Sequence, residues 1–213
     1  SVLLQAGENA QAEQVLNNLW DRDPDNADVL GAMSAFYAQA GRLAEWTKKL
    51  EVLHGAHPEY RAAIEQLVML YVQQKEMPEA LRVLASVRQS VHDDPDLLYQ
   101  TASLYSRIGQ KALAEQTLEE VIRIDPDHAA ACNDLGFSWA DAGMHLARAE
   151  SLVRTAVAKE PDNQSFLDSL GWVLYKRGQF EESKKYLQAA ISEFPSARAA
   201  PPHRRPAPRL GRE

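Results

Sequence analysis

The stretch Gln164–Pro195, QSFLDSLGWVLYKRGQFEESKKYLQAAISEFP, decides the architecture of this 213-residue chain. Within it Phe166, Leu167, Leu170, Gly171 and Leu174 recur at helical spacing and make one apolar stripe. Gly178 then ends that helix, because glycine enters the left-handed C-terminal conformation without penalty. Phe180, Leu187 and Ala190 supply the inward stripe of a second helix, which stops before Pro195. Gly171 and Ser183 are small enough to let the two backbones approach closely. Neither helix can bury its stripe alone, so the pair needs neighbours of the same kind.

Those neighbours are written along the whole chain. Tyr37, Tyr71, Tyr105 and Trp139 follow one another at steps of 34 residues. Leu16, Leu50, Leu84 and Leu118 do the same, followed by Val153 after 35 and Leu187 after 34. Gly7, Gly41, Gly109, Gly143 and Gly178 hold the same phase, as do Pro24, Pro58, Pro126, Pro161 and Pro195. Four residue types keeping one phase in this way mark an array of repeated helix pairs.

Leu167, Leu170–Gly171, Leu174, Gly178, Ser183, Leu187, Ala190 and Pro195 fall where the tetratricopeptide repeat family places its W-L-G-Y-A-F-A-P pattern. The preceding repeat matches through Leu135–Gly136, Trp139, Gly143, Ala149, Ala156 and Pro161. Over about residues 1–195 the chain therefore resembles that family. The resemblance implies an all-α, right-handed superhelical solenoid of antiparallel helix pairs. A partial first repeat covers 1–26, and full repeats cover about 27–60, 61–94, 95–128, 129–163 and 164–195. It also implies a non-catalytic scaffold that binds a protein or peptide partner. The stretch Leu167–Tyr175 is similar to repeats of Gram-negative bacterial proteins, some of them envelope lipoproteins, which points to a bacterial cytoplasm or periplasm.

Three departures from the repeat are expected to matter locally. Trp46 fills a slot that is alanine at Ala12, Ala80 and Ala114, so packing there must be looser or rearranged. The 37 residues from Pro58 to Pro95 imply a three-residue insertion around Ser90–Asp94, and the 35-residue step implies one extra residue near Met144–His145. Such insertions belong in turns.

The two ends differ from the body. Ser1 falls within a first helix, so the chain is expected to open partway through a repeat of a longer protein. Residues 196–213 carry four prolines, five arginines and one acid, a composition for an extended or disordered tail. It is a native basic arm, a cloning remnant or an out-of-frame ending. Without the tail, 18 basic and 29 acidic residues remain, so the body carries a net charge of -11. That charge opposes nucleic-acid binding, which needs a basic face.

Composition and motifs narrow the chemistry further. The longest apolar run, Leu67–Val72, is far too short to span a bilayer, and no signal peptide is visible at the start. Phosphate-binding, zinc-protease, dinucleotide and serine-hydrolase motifs are all missing, so no catalytic residue, metal site or cofactor is expected. His54 and His57 have no evident third ligand. Cys132 lies on an apolar stripe and reads as a small core residue. Asn163-Gln164-Ser165 matches a glycosylation triplet but stands at a helix start, where Asn and Ser act as caps.

What remains is the concave surface lined by the first helix of each repeat. The resemblance places Met69, Gln73, Tyr99, Ser103, Arg107, Asn133, Phe137, Asp141, Asp168, Trp172, Tyr175 and Lys176 there. Tyr99, Phe137, Trp172 and Tyr175 are aromatic anchors ringed by polar groups, a pattern of peptide-binding hot spots. The alternative is that they pack against the adjacent repeat. In the family's carboxylate-gripping mode asparagines occupy fixed slots. Here those slots hold Ser103, Phe137 and Trp172, so that mode is not expected. Asp28, Glu65, Asp96, Asp141 and Asp168 favour a segment with apolar anchors and basic character. Two other readings stay open. The chain is a repeat segment of a larger enzyme or sensor, or it forms homo-oligomers through an uncapped C-terminal end and the basic tail.

Overall fold

A computed structural model describes residues 2–91 and 93–191, with side chains from residue 9 onward. The tail at 196–213 and His92 lie outside the described residues. Eleven helices follow one another among them: α1 (Val2–Arg22), α2 (Ala27–Gln39), α3 (Leu43–Ala56), α4 (Arg61–Gln73), α5 (Met77–Ser90), α6 (Pro95–Arg107), α7 (Lys111–Ile124), α8 (Ala129–Ala142), α9 (Leu146–Lys159), α10 (Gln164–Lys176) and α11 (Phe180–Ile191). The fold is all-α. Linkers of three and four residues alternate, which keeps sequential helices antiparallel. No described helix is long and apolar enough to cross a membrane. The chain divides into two compact units, Ser1–Ala114 and Glu115–Glu213.

Helix starts follow local chemistry. Asn26 caps α2 by accepting from the backbone N–H groups of Asp28 and Val29, both at 3.1 Å. Asp94 accepts from Leu97 N at the start of α6, and Asn163 accepts from Ser165 N and Phe166 N at the start of α10. Tyr60 gives α4 no such cap. Asp25, in the turn of the preceding repeat, reaches over instead. Its Oδ1 accepts from Ala63 N at 2.9 Å and its Oδ2 from Arg61 N at 3.0 Å.

The first unit buries Leu30, Met33, Tyr37, Leu50, Leu67 and Leu84 completely. Trp46 is fully buried among them and stacks on Tyr37 at 5.5 Å, with Trp20 edge-on at 5.3 Å. Its indole N–H donates to Ser34 Oγ at 2.8 Å, so the packing is rearranged around it rather than loosened. Two phenols tie helices of neighbouring repeats. Tyr37 donates to Glu13 Oε1 at 3.0 Å, and Tyr71 donates to Glu51.

The second unit depends on small residues. A Cβ at Gly136 would lie 2.8 Å from the Ala149 carbonyl oxygen and 2.6 Å from Val153 Cγ2. One at Gly171 would meet Leu187 Cγ at 2.6 Å. Ser183 is buried opposite and donates to the Gly171 carbonyl at 2.7 Å. Phe180, read as inward, is instead 50% exposed, because it opens α11 beside the turn and packs on Tyr175.

The turns correct one expectation and bear out another. There is no insertion at Ser90–Asp94: α4, α6 and α8 start 34 residues apart. Pro95 is the first residue of α6, a slot prolines favour, and not the counterpart of Pro58 in its turn. The extra residue near Met144–His145 is real. Met144 and His145 separate Gly143 from α9, whereas Gln110 alone separates Gly109 from α7. His145 takes φ 47° to close that longer turn, and its ring packs edge-on against Trp139 at 5.0 Å. Gly7 shares the phase of Gly41 but lies inside α1, where no turn forms.

Two substitutions test this account. Gly136→Ala drives a methyl into backbone and should cost about 2 kcal/mol despite its better helix propensity, measured by urea unfolding. Lys75 holds the left-handed slot of Gly41 and Gly109 at φ 63°. Lys75→Gly should therefore add about 1 kcal/mol in the same assay.

Candidate partner-binding site

The residues assigned to the concave surface fall on α4, α6, α8 and α10. In the first unit Met69 and Gln73 are exposed on α4, while Tyr99 and Ser103 are half-buried on α6. Arg107, also on α6, meets Glu65 Oε1 of α4 at 2.6 Å. Its charge is thus spent on an ion pair within the unit, and this face stays mixed in sign.

In the second unit Phe137 is half-buried and Asp141 exposed on α8, with Asp168 exposed on α10. Trp172 and Tyr175 of α10 are half-buried and stack at 5.7 Å with 23° between planes. Phe180 continues the row, 5.6 Å from Tyr175. Lys176 Nζ lies 5.3 Å from the Trp172 ring centroid and donates to the Asp141 carbonyl at 3.3 Å. Four expected residues, Asp141, Trp172, Tyr175 and Lys176, therefore meet at one place. Asn133 does not join them on the surface. It is 8% exposed, its Nδ2 donates to Asp134 at 3.1 Å, and its Oδ1 has no hydrogen-bond partner among the described residues.

A buried ionic latch holds this unit's last helices in register. Glu150 of α9 accepts from Arg154 Nε at 2.7 Å and from Arg177 at the end of α10. Arg154 also reaches Glu182 of α11 at 2.7 Å. Burial alone would raise the Glu150 carboxyl, but the two guanidiniums outweigh it and hold it below the usual carboxylate range. Sequence spacing did not flag Glu150. The signal was an acid on an otherwise apolar stripe, three residues before Val153.

The histidines go separate ways. His57 stacks on Tyr60 at 4.4 Å, whereas His54 faces an open cavity of about 430 Å³ also lined by Glu51, Tyr71 and Arg82. Ser86 Oγ donates to the Val83 carbonyl at 2.8 Å and sits 3.0 Å from His54 Nε2. The ring therefore carries its proton on Nε2. Its Nδ1 is buried without a hydrogen-bond partner among the described residues. Burial first, and the Arg82 charge second, push the imidazole below its ordinary value of 6.5. Cys132 is fully buried and burial raises its thiol to about 11, as befits a core residue.

Tetratricopeptide repeat family models match residues 3–45, 95–128 and 140–198. The chain belongs to the tetratricopeptide repeat family. It is 28% identical over 163 residues to a TPR repeat-containing protein of Pseudomonas aeruginosa, covering 76% of this chain. The chain spans 28% of that relative's length. Its fold is shared with the crystal structure of MamA (TM-score 0.56, 18% identity, 73% of this chain and 91% of MamA). It is shared too with YrrB, a TPR protein with an unusual peptide-binding site (0.54, 15%, 83% and 91%). A third is a tetratricopeptide repeat protein from Parabacteroides merdae (0.58, 19%, 78% and 66%). These tetratricopeptide repeat structures share the helix-pair framework, and the chemistry of the faces is set by this chain's own side chains.

His54 gives the repeat body a pH dependence of defined sign. Its folded value lies below 6.5, so the unfolded chain takes up a proton that the folded ring resists. This contribution is complete above 6.5 and is lost as the pH falls below it. Urea midpoints of the parent should therefore drop more between about pH 7 and pH 5 than those of His54→Gln.

Proposed function

We propose that the chain is a non-catalytic interaction scaffold that holds a peptide or protein segment against the first-helix face of its second unit. One observation carries this reading. Phe137, Trp172 and Tyr175 keep part of their surface open on helices whose buried stripe is already complete without them. The buried residues of α10 are Phe166, Ser169, Leu170, Gly171, Val173 and Leu174, all on the other side of that helix. Aromatic rings left at a surface beside Asp141, Asp168 and Lys176 supply apolar anchors with a polar rim. The acidic body and the two aspartates favour a segment with basic character over one ending in a carboxylate cluster.

The test is capture of partners from a native lysate by the parent chain and by the double variant Phe137→Ala, Trp172→Ala. Capture should fail, since losing two such anchors weakens binding by roughly 30-fold or more each, about 2 kcal/mol. Circular dichroism and the melting temperature should stay close to the parent. A variant that unfolds would reassign both rings to the core. Capture that persists in a folded variant would move the site elsewhere.

A further inference from the structure

Neighbouring repeats are copies, so a seat that is filled in one can be compared with the same seat in the next. Phe166, the third residue of α10, is buried in a cluster with Cys132 and Ala129 of α8 and Leu152 and Ala156 of α9. A step of 35 residues carries Pro126, Ala129, Cys132 and Gly136 onto Pro161, Gln164, Leu167 and Gly171. A step of 34 carries Leu152 and Val153 onto Tyr186 and Leu187. The Phe166 seat therefore recurs, one repeat later, at Gln164, Leu167 and Tyr186.

There the seat is open. Gln164, Leu167 and Tyr186 line a cavity of about 380 Å³, with Pro161, Lys185 and Ala189 around them. No helix among the described residues fills it. Exposure follows the loss of the cover. Cys132 is fully buried whereas its counterpart Leu167 is half-buried, and Ile191, the counterpart of the half-buried Val157, is 56% exposed. The volume accommodates an aromatic ring. One side chain at the mouth also changes kind: Lys185 stands where the filled seat has Ser151.

We propose that this open seat binds an amphipathic helix of a partner protein, with an aromatic side chain in the helix's first turn lodged between Leu167 and Tyr186 as Phe166 is lodged in the preceding repeat. The page identifies the occupant by internal copy. The one side chain known to fill this seat is a phenylalanine at the third position of a helix, and the surface continues the interface that α10 makes with α8 and α9. Lys185 adds a preference for an acid in the same turn, where the helix dipole already favours one. The seat lies on residues other than Phe137, Trp172 and Tyr175, so this inference stands independently of the function proposed above.

The probe is a helix-stapled peptide of this chain's own residues 163–178, titrated into the isotopically labelled full chain and followed by amide shifts. The peptide should perturb Lys185, Tyr186 and Leu167. Its Phe166→Ala form should bind at least ten times more weakly, and its Ser165→Glu form a few times more tightly. On the protein, Ala189→Arg should block the mouth, and Lys185→Glu should abolish only the gain from Ser165→Glu, each with an unchanged melting temperature. No shifts at about 1 mM peptide would overturn the proposal, as would equal shifts from the Phe166→Ala form. Shifts confined to Phe137 and Trp172 would also overturn it, by assigning the peptide to the other face. Sedimentation showing a concentration-dependent dimer that protects Tyr186 in the chain alone would give the seat to a second copy instead.

Discussion

The second unit is organised by the absence of two side chains. With only hydrogen at Gly136 and Gly171, the first helix of each pair lies against the second at backbone distance, and Ser183 can hydrogen-bond directly to the Gly171 carbonyl. That approach consumes one stripe of each first helix and fixes its rotation. Phe137 and Trp172, one position after the glycines, are then turned away from the paired helix. The candidate surface is thus a by-product of the pair's closest contact. In the first unit Ser34 stands in the same slot, and the contact passes through Trp46 and its indole hydrogen bond.

The helix pairs were legible because burial is periodic and period survives substitution. Leucines, small residues and turn glycines each repeated a phase, and all eleven described helices fall where that phase puts a helix or a turn, Gly7 excepted. Proline misled at Ser90–Asp94 because it suits two slots, the turn and the first helical position, so Pro58 and Pro95 are not equivalent. Phe180 misled because hydrophobicity at a helix's first residue says little about direction. Of the candidate surface, the clustering of Asp141, Trp172, Tyr175 and Lys176 followed from spacing on neighbouring helices. The burial of Asn133 did not, since a single position on a stripe's edge depends on how far the next helix leans over it.

Polar contacts were the least legible part. Tyr37 and Tyr71 keep the aromatic period, but their carboxylate partners Glu13 and Glu51 are 38 residues apart and so fall outside it. A buried phenol needs an acceptor, and the chain supplies one from whichever nearby turn of the preceding helix can reach. Glu150 and its two arginines show the same opportunism. Apolar order is therefore set by the repeat, while each polar tie is solved locally.

The cap on α4 gives the array a direction. Asp25 closes the first turn of a helix that begins 36 residues further along the chain. During synthesis the carboxylate emerges from the ribosome well before the amides it will hold, already seated in a turn between two finished helices. Each nascent helix so served meets a prepared template instead of having to nucleate by itself, and the protein can zip up in the order in which it is made.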